Sequence, residues 1–226
     1  MALTTDYIFK FSLDLIQKNM AGPFDNEMFE RFWHSEQLGY QDDLLGRFQK
    51  NNTSKTGANT GLIENETILQ KLSPFISRVT LVQDNFGNSY KPTDLAYRLS
   101  IMIDDSNCVK INYNQRSAMI TSVIDPPSLT TNIYYFIEYA DYYEIFPSTA
   151  SDPVLDYVKT PTYIKWGFTY DNVGRQVYNS GTSVQPLWDN NSCMEITKRM
   201  LATIGVSSKD NDFENFGKSV INTGNP

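Results

Sequence analysis

Residues 133–146, Ile133-Tyr134-Tyr135-Phe136-Ile137-Glu138-Tyr139-Ala140-Asp141-Tyr142-Tyr143-Glu144-Ile145-Phe146, hold two runs of aromatic and β-branched side chains around a short break. Such side chains suit a pleated, half-buried surface, so Ile133 to Tyr139 and Tyr142 to Phe146 read as β segments. Toward the N-terminus the same reading covers Cys108 to Tyr113, Tyr97 to Ile103, and the period-two run Val79, Leu81, Gln83 that starts from Ser77. Toward the C-terminus it covers Tyr163 to Phe168. The clusters Asn85-Phe86-Gly87-Asn88, Asp104-Asp105-Ser106-Asn107 and Asp125-Pro126-Pro127 supply turns, and Gly167 and Asp171-Asn172-Val173-Gly174 weaken or end the last run. Several short strands at this spacing predict a central antiparallel β-sandwich or barrel-like sheet.

The flanks read as helix. Tyr7, Ile8, Phe11, Leu15 and Ile16 recur at helical spacing after a cap at Thr4, Thr5 or Asp6, and Gly22-Pro23 stops the run. Asp25 caps a second segment whose stripe is Met28, Phe29, Phe32, Trp33, Tyr40, Leu44, Leu45 and Phe48, with Gly39 and Gly46 as weak points. The two are expected to pack as a hairpin. Residues 49–61 have no large apolar side chain, which predicts an exposed polar loop, followed by a short helix from about Ile63 to Leu72. Near the C-terminus Ser192 and Glu195 read as a capping box for a helix with Ile196, Met200, Leu201 and Ile204 on one face and Gly205 at its end. The expectation is therefore an α+β chain: a helical region over 1–76, a β-rich domain over 77–188, and a C-terminal helix with a polar tail over 189–226.

Composition narrows the function classes. The chain has 226 residues and a net charge of -7, so it lacks the basic footprint that tight nucleic-acid binding requires. The start lacks the features of a secretory signal, and no apolar run is long enough for a membrane span, so the chain reads as made in a reducing cytoplasm. Cys108 and Cys193 stand far apart without a CxxC partner, which predicts free thiols and no zinc site. Fourteen Tyr and 13 Phe in a chain with 20% charged residues suit surfaces that are later covered, and equally a tyrosine-rich sheet rim.

Candidate catalytic groups are few. His34 is the one histidine, beside Trp33 and Glu36 on the second helix, and no nucleophile elbow, phosphate cradle or dinucleotide fingerprint occurs. Asp141, Glu144, Asp152 and Asp156 are the candidates for a glycosidase-like acid pair, and Asp42-Asp43 and Asp104-Asp105 for a hard cation. Solvated loops for the first set, and solvated turns and helix surface for the second, are the readings the residues favour. No cofactor is expected.

Two stretches resemble a known family. The first is Phe24–Gln49, with Ser35-Glu36-Gln37 leading to Leu45-Gly46-Arg47-Phe48-Gln49. The second joins Tyr143-Glu144-Ile145-Phe146-Pro147, Leu155-Asp156-Tyr157-Val158-Lys159-Thr160-Pro161 and Ile164-Lys165-Trp166. Both resemble the neck or connector ring proteins of crAss-like and related tailed phages of Bacteroidetes. The resemblance implies a structural virion protein, assembled in the host cytoplasm into a homo-oligomeric, twelvefold ring between portal and tail. Its partners would be the portal and other neck or tail proteins, with DNA passing through the ring without tight binding and no membrane involved.

No family active site carries over. The subunit-contact candidates are Tyr157, Pro161, Lys165 and Trp166 in the second stretch, Asn52 and Lys55 in the polar loop, and Phe213 and Phe216 in the tail. For Tyr157 and Trp166 a place in the core is the favoured reading over subunit contact. The alternative function is a carbohydrate- or receptor-binding tail module, motivated by Trp166, Trp188 and the tyrosines of 134–143.

Overall fold

The computed structural model describes residues 3–19, 24–53, 58–84, 86–122, 124–150 and 152–207. It is an α+β chain of N-terminal helices, mostly antiparallel sheets and a C-terminal helix. It divides into two compact units, Met1–Pro74 with Pro161–Pro226, and Phe75–Thr160. The β-rich unit thus ends at Thr160 instead of 188, and residues 161–188 are tied to helical residues through Thr162, Trp166 and Trp188, which bond to Gln37 and Glu30.

Among the described residues the first unit is built on four helices. α1 (Thr5–Asn19) is capped by Thr4, whose Oγ1 accepts the Tyr7 amide at 3.2 Å, and it buries Ile8, Phe9 and Ile16. α2 (Asn26–Thr53) is capped by Asp25, whose carboxylate accepts the Met28 amide at 2.8 Å. It buries Phe29, Trp33, Tyr40, Leu44 and Leu45, but also the polar Glu30, Gln37 and Gln41. α1 meets α2 where the Phe9 and Phe29 rings lie 5.2 Å apart, while the main partners of α2 are α3 (Ala58–Leu72) and α5 (Asn190–Ser207).

The polar stretch 49–61 is largely helix. α2 continues through Thr53 and α3 starts at Ala58, and residues 54–57 lie outside the described residues. Extending an existing helix adds one backbone bond per residue without a new nucleus, so polar residues follow where apolar ones have started.

Along the α2–α5 seam, apolar side chains are tied by polar contacts. Trp33 Nε1 donates to Thr197 Oγ1 at 3.3 Å, the Thr203 hydroxyl donates to Glu36 at 2.7 Å, and Tyr40 and Ser192 share a hydrogen bond of 3.2 Å. The cap of α5 is Asp189, not Ser192: its carboxylate accepts the Ser192 amide at 2.7 Å, leaving the Ser192 hydroxyl buried for Tyr40. Gly205 lies inside α5, which runs to Ser207, so it does not end the helix.

Residues 161–189 form a strap across α1 and α2. Its one regular element is the antiparallel hairpin β9 (Phe168–Tyr170) and β10 (Gln176–Tyr178). At the base of the hairpin Gly167 packs so closely on Thr182 that a Cβ there would lie 2.2 Å from Thr182 Oγ1. The expected strand Tyr163 to Phe168 is instead an isolated bridge, Lys165 to Val184, followed by β9.

The second unit is a sandwich of two four-stranded sheets that do not close into a barrel. One sheet orders β1 (Ile76–Thr80), β8 (Val154–Lys159), β3 (Leu95–Ile103) and β4 (Ser106–Asn107). The other orders β2 (Asn88–Tyr90), β7 (Tyr142–Phe146), β6 (Tyr135–Glu138) and β5 (Val109–Lys110), with β5 parallel to β6. Their facing sides share one core, in which Ile101, Ile103, Leu155 and Tyr157 of the first sheet meet Phe136, Tyr143 and Ile145 of the second. Asp104 and Asp105 have φ of 48° and 61° and make the two-residue turn between β3 and β4, the geometry a hairpin of twisted strands prefers.

The run Cys108 to Tyr113 keeps only the two residues of β5. It then turns at Asn112, whose amide donates to Gln115 Oε1 at 3.1 Å, and enters the short helix α4 (Arg116–Ile120). α4 places Met119 and Ile120 on a second cluster of Ile111, Tyr135, Ile137 and Phe146, on the outer side of the second sheet.

Candidate functional site

The rest of that outer side is a tyrosine face. Strand alternation sends Tyr143 and Ile145 into the sandwich and turns Tyr142 and Glu144 outward, beside Tyr90, which pairs with Tyr142 across β2 and β7. Tyr139 and Tyr142 flank the turn between β6 and β7, and their rings stack at 4.6 Å with 18° between planes. Tyr113 meets Tyr139 edge-on at 6.4 Å. Tyr90 and Tyr113 are 54% and 72% exposed, high for side chains with so much apolar area.

Glu144 holds this face together. Its carboxylate accepts Arg116 Nη2 at 2.5 Å and the Tyr139 hydroxyl at 3.0 Å, and the Arg116 guanidinium lies 5.3 Å from the Phe146 ring centre. Burial, then the hydrogen bond to Glu144, pushes the Tyr139 hydroxyl up to about 12, so it stays a donor at neutral pH. The arrangement offers half-wet aromatic surface with a charged pair at its centre. It suits contact with another surface.

The carboxylates considered for acid catalysis are held apart. Asp156 lies on β8, bonded to Arg78 at 2.6 and 3.0 Å and to the Ser100 hydroxyl at 3.1 Å, and these partners keep it below the usual carboxylate range. Glu144 lies on the other sheet with Arg116, and Asp141 and Asp152 are exposed on loops. Among the described residues no grouping of three His, Cys, Asp or Glu is placed to hold a metal ion. Cys108 and Cys193 are free, and burial pushes both thiols up to about 12. His34 accepts Gln37 Nε2 through Nδ1 at 2.6 Å and packs on the Tyr163 ring at 4.7 Å, and burial lowers its basicity.

The subunit-contact candidates are scattered. Tyr157 is 4% exposed in the sandwich core, its hydroxyl donating to Asp94 at 3.0 Å. Trp166 is 5% exposed in the first unit, its ring 4.7 Å from that of Phe9 and its Nε1 donating to Asp6 at 3.1 Å. Pro161 is buried and Lys165 exposed. The side chain of Asn52, and Lys55, Phe213 and Phe216, lie outside the described residues. Trp188, proposed from sequence as a sugar platform with Trp166, is likewise buried. Of the tyrosines in 134–143, Tyr134, Tyr135 and Tyr143 are buried, leaving Tyr139 and Tyr142 part-exposed. Sequence reading missed Tyr90 and Tyr113 because they sit in separate short elements that only sheet pairing brings together.

Among the described residues no helix is long and apolar enough to cross a membrane. No protein-family model matches the chain, and no curated protein sequence matches it. Fold and surface define an α+β protein whose β-sandwich unit presents an aromatic sheet face.

Proposed function

We propose that this chain is a structural subunit of a tailed-phage particle, forming a homo-oligomeric ring in the neck between portal and tail. The observation that carries the reading is the tyrosine face: Tyr90 and Tyr113, exposed, and Tyr139 and Tyr142, part-exposed, lie on one side of a sheet, the composition that protein interfaces favour. The resemblance of Phe24–Gln49 and of the segments between Tyr143 and Trp166 to neck ring proteins points the same way. A ring subunit joins one surface to a different surface of its neighbour and performs no bond chemistry. In support, the candidate acids Glu144 and Asp156 are each occupied by an arginine. Native mass measurement with negative-stain imaging tests the proposal. A closed ring is expected, and a chain that stays monomeric and is missing from purified particles overturns it.

The same exposed rings favour one second reading, a carbohydrate-binding module of the tail, since tyrosine faces stack on sugar rings. A glycan array separates the two: saturable binding that is lost on replacing Tyr90 and Tyr113 supports the module.

A further inference from the structure

Inside the sandwich of the second unit a row of polar side chains crosses the second sheet. Gln83 pairs with Ser89, Ser89 with Tyr143, and Tyr143 with Glu138, so the four lie side by side on the inward face. Arg98 reaches the row from β3, its guanidinium 4.6 Å from the Phe136 ring centre and its Nε 3.8 Å from Glu138. Lys91 and Lys110 approach the same carboxylate at 3.2 and 2.7 Å, and the Lys91 ammonium stands 4.8 Å from the Tyr143 ring centre.

Two features of the row are out of balance. Lys91, Arg98 and Lys110 surround a single carboxylate, an excess of two positive charges within a chain of net charge -7. Beneath them the buried atoms Gln83 Nε2, Ser89 Oγ, Arg98 Nε and Tyr143 Oη have no hydrogen-bond partner, and Ser89 and Tyr143 are 0% exposed. An orphaned buried polar group costs about 1–3 kcal/mol, so three in the row and one on the facing Arg98 are a concentrated cost that a ligand with acceptor atoms would offset. Lysine, arginine and amide nitrogens only donate, and both hydroxyls have a proton to give. Only Glu138 accepts without donating. The missing chemistry is therefore that of an acceptor with negative charge.

We propose that this end of the sandwich is a binding site for a small oxyanion, phosphate or carboxylate, held by Lys91, Arg98 and Lys110 with the Tyr143 and Ser89 hydroxyls behind them. The solvent side of the site is the one Lys110 lines, its side chain 49% exposed, while Ser89 and Tyr143 are wholly buried behind it. The site is separate from the tyrosine face, because Tyr143 and Glu138 point inward where Tyr142 and Glu144 point outward.

Titration of the full chain with inorganic phosphate, and separately with acetate, at constant ionic strength tests this through amide NMR shifts. The expected result is saturable shifts confined to the residues around Ser89, Lys91, Arg98, Lys110 and Tyr143. Binding by Lys110→Gln, at a half-exposed position that folding tolerates, should weaken by about tenfold, the effect of one charge-assisted hydrogen bond. Tyr143→Phe keeps the ring and should also weaken binding. Saturation by phosphate alone assigns a phosphate site, and saturation by acetate as well assigns a general oxyanion site. Shifts that grow linearly, match those caused by chloride, or are unchanged in Lys110→Gln overturn the proposal.

Discussion

The backbone amide of Trp166 donates to the Glu30 carboxylate at 2.8 Å, joining the strap to α2 across 136 positions of sequence. Glu30 is 8% exposed, and its burial raises its pKa against the opposing pull of the Trp166 amide and Lys165. A carboxylate raised in the folded state contributes most below its ordinary value of 4.5, and that contribution is lost as pH rises through the folded value. Glu30→Gln keeps an acceptor and removes the charge, so this part of the pH dependence should flatten. Glu30→Leu orphans the Trp166 amide and should cost about 1–3 kcal/mol. Urea midpoints between about pH 4 and about pH 8 check both, and a Gln variant with the wild-type slope would refute the assignment.

Gln37, 1% exposed, spans three partners: its Nε2 donates to the Thr162 carbonyl at 2.9 Å and to His34, and its Oε1 accepts Trp188 Nε1 at 3.3 Å. Gln37→Leu keeps the volume but strands the Trp188 and Thr162 groups. A loss of roughly 2–4 kcal/mol is expected, with a red-shifted tryptophan emission as Trp188 loosens. Stability within 0.5 kcal/mol or so of wild type would contradict the bridge.

His34 gives a second pH signature, of opposite sense. Burial lowers its pKa below the ordinary 6.5, so its contribution is complete above that value and is lost as pH falls through the folded one. Replacing His34 with Gln should remove a decline in stability on the acid side of neutrality while leaving the alkaline side unchanged. Thermal melts at matched ionic strength read it directly.

Two glycines should respond in opposite directions. At Gly167 an added Cβ would also lie 2.5 Å from the Thr182 carbonyl carbon, so Gly167→Ala must move the strap backbone and should cost roughly 1–3 kcal/mol. Gly39, on the exposed side of α2 with nothing near its Cβ position, should gain roughly 0.5–1 kcal/mol as Ala. Equal urea midpoints for the two variants would show that the close approach at Thr182 is not maintained.

Replacing Tyr90 and Tyr113 together with Ser removes exposed rings that support little of the core. Monomer stability should change by less than about 1 kcal/mol, while ring formation at a fixed concentration should fall severalfold. Light-scattering mass and a urea titration on the same sample give both numbers, and intact assembly would remove the tyrosine face from the interface.

Local chemistry made a good part of this architecture legible. Asp25 and Thr4 cap helices where a short oxygen-bearing side chain precedes an apolar run, and Tyr142 to Phe146 is β7 with the boundaries its pattern implies. Capping and alternation depend on neighbours a few residues away, which a linear reading sees. The α5 cap slipped from Ser192 to Asp189 because both are good caps, and Tyr40 on α2 claims the Ser192 hydroxyl. β8 lies at the centre of its sheet, yet its short run Leu155-Asp156-Tyr157-Val158 acquires its role only between β1 and β3.

From the chain read in order came the α+β class, most helices and the main strands, since hydrophobic period and capping are short-range. Which segments share a surface was settled only by tertiary pairing. Residues 161–188 join the helices because Glu30 and Gln37, polar positions inside an apolar stripe, take up the hydrogen-bonding groups of Trp166, Thr162 and Trp188. Trp166 and Tyr157 are buried, and Tyr90 and Tyr113 exposed, for the same reason: an aromatic ring is covered or bare according to which strand or helix packs opposite it, a partner many residues distant in the chain.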